Sequence, residues 1–137
     1  MLDVYKCKID NKLKLNDLTY EFSITEASLA GEIVAGQFLH IKCGNERILR
    51  RPVSISDVNN NTVSFIVEIR GEGTKWLCDR KTGDELDLLG PLGNGFSLPA
   101  GNVILVGGGL GIPPLVYTAR LVVAKIAKAM AAIKPAG

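Results

Sequence analysis

The sequence predicts a mainly β fold: a six-stranded antiparallel Greek-key barrel over residues 1–100, then the first strand and helix of an incomplete α/β domain over 101–137. Three observations predict it. From residue 3 to about residue 90 the chain reads as short strands separated by turn residues, with no long helix among them. Closing such strands into a barrel removes exposed sheet edges, and an open sandwich is the alternative arrangement. After residue 100 a wholly apolar run feeds a glycine loop and then a helical pattern. The charge changes at the same place, because all 14 acidic residues lie within the first 87 and only four of the 16 basic ones lie beyond them.

Val4 to Ile9 and Leu18 to Ile24 alternate apolar and polar residues, and the polar stretch Asn11 to Asn16 between them predicts the turn of a hairpin. Gly36 to Cys43 predicts a third strand, followed by a polar turn through Gly44 and Asn45, and Arg51 to Ser56 a fourth. After the turn cluster Asp57 to Asn61, Val63, Phe65, Val67 and Ile69 fall at period two, the mark of a strand with one buried face. Thr74 to Asp79 predicts a short helix with Thr74 as N-cap, and Leu86 to Leu89 the sixth strand.

Val103 to Val106 has the composition of a strand buried on both faces, and it leads into Gly107, Gly108, Gly109 and Gly111. Pro113 and Pro114 suit the first turn of a helix, along which Leu115, Ala119, Val122, Ile126, Met130 and Ile133 recur at steps of three and four. Strand, loop and helix together are the opening of an α/β nucleotide-binding domain.

With 47% hydrophobic and 22% charged residues the chain is expected to fold around a core. A net charge of +2, with no basic cluster interleaved with aromatics, argues against nucleic acid. Cys7, Cys43 and Cys78 have neither disulfide-framework nor metal-clip spacing and read as idle thiols. No apolar leader opens the chain, and no membrane-length stretch lacks a charge or a glycine cluster, so a cytoplasmic protein without membrane contact is expected.

Two constellations carry chemistry. In Arg51-Pro52-Val53-Ser54 the proline stiffens a strand that offers a guanidinium suited to a diphosphate and a hydroxyl suited to a flat ring; an edge strand with solvated arginines is the bland alternative. In Gly71-Glu-Gly73-Thr74 the glycines permit close approach to a phosphate at a helix start; a tight capped turn is the alternative. The glycine loop is not a dinucleotide fingerprint, because Ile112 stands where glycine or alanine is needed and no acid follows Asp87. A plain strand-to-helix turn explains it equally well.

Taken in order, these motifs together with Gly90 to Phe96 and Gly107 to Leu115 resemble the ferredoxin-reductase-like flavoproteins, in particular the electron-transfer subunits of NAD-linked dihydroorotate dehydrogenases. The resemblance runs over nearly the whole chain. It implies a barrel that binds FAD through the segment Arg51, Pro52, Val53 and Ser54, with Arg51 at the pyrophosphate and Ser54 beside the isoalloxazine edge, with Ile66, Val67 and Glu68 along the flavin and ribityl or adenylate portion, and with Gly73 and Thr74 capping the pyrophosphate. It also implies that Gly107, Gly108, Gly109 and Gly111 open the NAD-binding domain on the nicotinamide side. An FMN-containing dihydroorotate dehydrogenase catalytic subunit is the implied partner, in pyrimidine biosynthesis.

Members of this family continue through further strands and helices and carry a cysteine cluster for a [2Fe–2S] centre, which three scattered cysteines do not supply. The alanine-rich end, closing in Lys134 to Gly137, is therefore expected to be a truncation. His40, Trp76 and Phe96 read as packing residues, and Glu68, Glu72 and Asp79 as solvated or flavin-facing acids with no acid/base pairing. Two alternatives differ in function. One is another ferredoxin-reductase-like subunit of the sulfide dehydrogenase or NAD(P)H-ferredoxin reductase type. The other is a non-catalytic interaction module whose C-terminal helix docks its apolar face on a partner or on a second copy of the chain.

Overall fold

The computed structural model describes residues 2–44, 49–98 and 100–131, with side chains through residue 126. Six strands, β1 (Asp3–Asn16), β2 (Thr19–Thr25), β3 (Phe38–Ile41), β4 (Arg51–Asn59), β5 (Thr62–Glu68) and β6 (Glu85–Leu92), close into a barrel in the order β1-β2-β5-β4-β3-β6. Each of these pairings is antiparallel. The helices are a four-residue turn α1 (Ala27–Ala30), α2 (Glu72–Cys78) between β5 and β6, and α3 (Pro113–Ala131).

Alternation builds the core. Val63, Phe65 and Val67 of β5 point inward, and Phe65 stacks on Phe22 of β2 with ring centroids 5.7 Å apart. Ile9, Ile24, Leu39, Ile41, Ile55, Leu86 and Leu88 fill the rest from the other strands, and Leu29 and Leu77 plug it from α1 and α2. Each such side chain contributes about 1.5–3 kcal/mol relative to an exposed one.

Four sequence expectations change. The stretch Asn11 to Asn16 is not a turn: β1 runs through it, pairing Lys12 with Phe22 and Lys14 with Tyr20. Lys12 holds the strand there, because its Nζ lies 4.7 Å from the Tyr20 ring centre and donates to the Cys78 carbonyl. The chain reverses instead at Asp17 and Leu18, where Asn16 Oδ1 accepts the Leu18 N–H at 2.9 Å. In α2 the N-cap is Gly71, and Thr74 sits one turn in.

The apolar run Val103 to Val106 lies in a segment, 102–108, that forms no strand; Ile104 is 88% and Val106 86% exposed. A strand buried on both faces needs neighbours on both sides, and the described residues place none beside it. Finally, the predicted apolar face of α3 is only half used. Leu115, Ala119 and Val122 are half-buried while Ile126 is 54% exposed, and the Met130 side chain, Ile133, Asn45 and the tail 134–137 lie outside the described residues.

The α3 helix packs along β4. Arg120 fastens it there, pairing with Asp57 Oδ2 at 3.2 Å and donating to the Val58 carbonyl. The stretch Gly109–Ile126 is long and apolar enough to cross a membrane; here Arg120 within it contacts the barrel.

Candidate functional site

β4 changes neighbours along its length, and this opens a cleft. Its second half pairs with β5 from Ile55 opposite Phe65 to Asn59 opposite Thr62, while Arg51 to Ser54 pair only with β3. Beyond Phe65, β5 keeps only β2 as partner, with Glu21 opposite Ile66, Tyr20 opposite Val67 and Thr19 opposite Glu68. The switch occurs at a bulge between Ile55 and Asp57 in which Ser56 is the extra residue. Ser56 is buried, and its hydroxyl has no hydrogen-bond partner among the described residues.

The diverging strands bound a cleft of about 430 Å³, within the range of small-molecule sites. One wall is Arg51, Pro52, Val53 and Ser54, and the other Ile66, Val67 and Glu68. Thr74 and Gly71 close one end, and Leu110 and Pro113, at the start of α3, cover another side. Eight of the nine residues predicted to bind a cofactor therefore line one cavity. The ninth, Gly73, is buried directly beneath Arg51, where a β-carbon would come within 2.9 Å of Arg51 Nε. The glycine thus provides the bed on which the guanidinium lies.

Alternation along β4 predicts Arg51, Val53 and Ile55 on one side. Val53 and Ile55 are buried as expected, but Arg51, at the strand's end, escapes the core and is exposed at the cleft. Among the described residues it forms no ion pair, so its charge faces the cavity uncompensated. Its neighbour Arg50 serves the fold instead. The Arg50 guanidinium bonds the Asp87 carboxylate at 2.7 Å and the Asp87 carbonyl at 3.0 Å, tying the chain to β6.

Thr74 works indirectly. Its Oγ1 accepts the N–H groups of Arg70 at 2.8 Å and Gly71 at 3.1 Å and donates to the Gly71 carbonyl at 3.1 Å. A hydroxyl so engaged fixes the glycine turn and has little left for a ligand.

The glycine loop stands apart. Gly107, Gly108, Gly109 and Gly111 do not line the cleft; only Leu110 between them does. A β-carbon on Gly107 would meet Leu115 Cδ1 at 2.8 Å, so the glycine lets the chain pass close against α3. Trp76 packs beside Gly44 under Arg80, and Phe96 on Gly36, so neither covers the cleft. His40 lies on β3 beside the Phe38 ring.

The residues do not fit an iron–sulfur cluster. Cys7, Cys43 and Cys78 are buried and form no disulfide, and burial pushes the Cys7 and Cys78 thiols up to about 11. Among the described residues no three metal-ligating side chains gather. Arg70, Leu110 and Pro113 are lining residues that motif reading missed. The only advance signal was that Arg70 immediately precedes the glycine turn.

No protein-family model matches the chain. It is, however, similar to curated proteins named dihydroorotate dehydrogenase B (NAD(+)), electron transfer subunit. That of Caldanaerobacter subterraneus is 46% identical over 91 residues, 66% of this chain and 37% of the relative. Those of Bacillus cereus, 41% identical, and Fusobacterium nucleatum, 35% identical, align over 84% and 87% of this chain and 49% of their own lengths. The chain belongs to this family. It spans about half or less of the length of the family members it matches.

Solved structures agree on the architecture. An NADH-dependent reduced ferredoxin-NADP oxidoreductase superposes with TM-score 0.77 at 33% identity, over 83% of this chain and 42% of that one. Ferredoxin-NADP+ reductase from Plasmodium falciparum gives 0.75 at 26% identity, over 87% and 51%. The fold of this electron-transfer family member is the FAD-binding barrel of the ferredoxin reductases.

Proposed function

We propose that the cleft holds FAD and that the protein is the flavin-bearing electron-transfer component of a dihydroorotate dehydrogenase. The observation that carries this reading is the convergence of Arg51 and the Gly71–Thr74 turn on one cleft formed by the divergence of β4 and β5. A cation beside glycine amides suits a diphosphate. The apolar surfaces of Pro52, Ile66, Leu110 and Pro113, with Ser54 among them, suit a flat heteroaromatic ring.

When bound, FAD would supply the electron-accepting and electron-donating chemistry, and the protein would supply position and environment. Arg51 neutralises diphosphate charge, the walls exclude water from the ring, and α3 covers it. We further propose that electrons arrive from an FMN-containing catalytic subunit that oxidises dihydroorotate, in pyrimidine biosynthesis, and leave to NAD+. This rests on the family name of the relatives. We propose that the protein is cytoplasmic, where thiols that form no disulfide stay reduced.

The test is reconstitution: purified protein mixed with FAD, freed of excess by gel filtration, and examined by visible absorbance and flavin fluorescence. Retained flavin with a shifted spectrum is the expected result, and Arg51→Ala should weaken binding by about 1.5–3 kcal/mol, one charge-assisted contact. A free-flavin spectrum at high protein concentration would overturn the reading. Co-purification with, and flavin reduction by, a dihydroorotate-oxidising subunit distinguishes this assignment from other ferredoxin-reductase-like subunits.

A further inference from the structure

Three charged residues line the cleft: Arg51, Glu68 and Arg70. A carboxylate is an awkward neighbour for a diphosphate, yet Glu68 is largely buried in the wall, its side chain 29% exposed. Arg70 resolves the conflict. Its Nε lies 3.2 Å from Glu68 Oε1, so the carboxylate is neutralised from one edge of the guanidinium. A guanidinium has five N–H donors in a rigid fork, and the edge turned away from Glu68 keeps several for a second anion.

The backbone of Arg70 is also held. Its N–H is bonded to Thr74 Oγ1 at 2.8 Å, at the turn whose Gly73 lies under Arg51. Two cations therefore flank the glycine turn, Arg51 from the start of β4 and Arg70 from the end of β5. The Glu68–Arg70 pair is too exposed on the arginine side, 66%, to matter much for stability. Its value lies in aiming a charge.

We propose that Arg70 is the second diphosphate-binding cation of this site and that Glu68 is the positioning carboxylate that aims it. This rests on the cleft being a flavin dinucleotide site.

The experiment titrates FAD and riboflavin, which lacks the phosphates, into the wild-type chain and the variants Arg70→Gln, Arg70→Lys and Glu68→Gln. Arg70→Gln should weaken FAD about tenfold and leave riboflavin unchanged, with the loss shrinking as salt rises. Arg70→Lys should recover part of it. Glu68→Gln should cost less than Arg70→Gln, because it removes an anion from beside the diphosphate as well as the aiming contact. Unchanged thermal midpoints would confirm that the variants fold.

If wild type binds FAD and Arg70→Gln binds it equally well, the inference fails alone. An equal loss for riboflavin, or a larger effect of Glu68→Gln, would also overturn it. A wild type that binds neither flavin overturns the site reading and this inference with it.

Discussion

Gly73 lies beneath the side chain of Arg51, so close that a β-carbon there would approach Arg51 Nε to 2.9 Å. A helix residue and a strand residue 22 positions apart are thus fitted to one another at the mouth of the cleft. Replacing Gly73 by alanine should have two effects of opposite sign. Inside α2 alanine favours the helix by about 0.5–1 kcal/mol, so thermal stability should hold or rise. Arg51, whose far end is flexible, must swing aside, so FAD retention should fall. Calorimetry and flavin titration on one preparation check both, and a variant that keeps its affinity would show that the guanidinium's place is immaterial.

Thr74→Val keeps the shape and deletes the hydroxyl that gathers Arg70, Gly71 and the Gly71 carbonyl. It should cost about 1–2 kcal/mol of stability and loosen the turn. Faster amide exchange at residues 70–74, without ligand present, is the direct measurement; exchange at the wild-type rate would show that the turn holds itself.

Arg120→Met removes the bond to the Val58 carbonyl and the pair with Asp57, whose other oxygen, Oδ1, is already buried without a partner among the described residues. As a half-exposed ion pair the Asp57 contact contributes about 0–1 kcal/mol. The larger effect should be on α3, with amides of 113–122 exchanging faster while those of the barrel strands do not change. Since Pro113 opens that helix and Leu110 lies in the turn before it, flavin fluorescence in the variant should move toward that of free flavin.

Burial raises the thiol pKa of Cys7 and Cys78 to about 11. The folded state then holds these protons through a range in which the unfolded chain has already released them. This contribution is complete below the ordinary thiol value, about 8.5, and is lost as pH rises through about 11. Denaturant midpoints should fall over that interval, and thiol reagents at pH 8 should react only after unfolding. Cys7→Ala with Cys78→Ala should flatten the alkaline limb, and an unaltered limb would assign it to other groups.

Local patterning made the barrel legible. Period two over Val63 to Ile69 announced β5, and the turn clusters separated the strands. It failed where polar residues lie on an outward-facing strand, as in Asn11 to Asn16, because the Lys12 contacts that hold β1 there come from Tyr20 and Cys78. It failed again at Val103 to Val106, where composition describes a strand but neighbours decide whether one forms.

The site was legible as far as its motifs reached: Arg51 to Ser54, Ile66 to Glu68, Gly73 and Thr74 do gather at one place. Gly107 to Gly111 did not join them, apart from Leu110. Leu110, Pro113 and Arg70 arrive through the packing of α3 and the exit from β5, which no short motif encodes.

The bulge at Ser56 gives the cleft an origin in backbone registration instead of side-chain carving. A slot made where two strands part company tolerates drift in almost every residue that borders it, provided the hydrogen-bond ladder still changes hands at the same rung. Two oxidoreductase structures sharing 33% and 26% of their residues with this chain keep its barrel, as expected of an architecture set by strand registration more than by individual side chains.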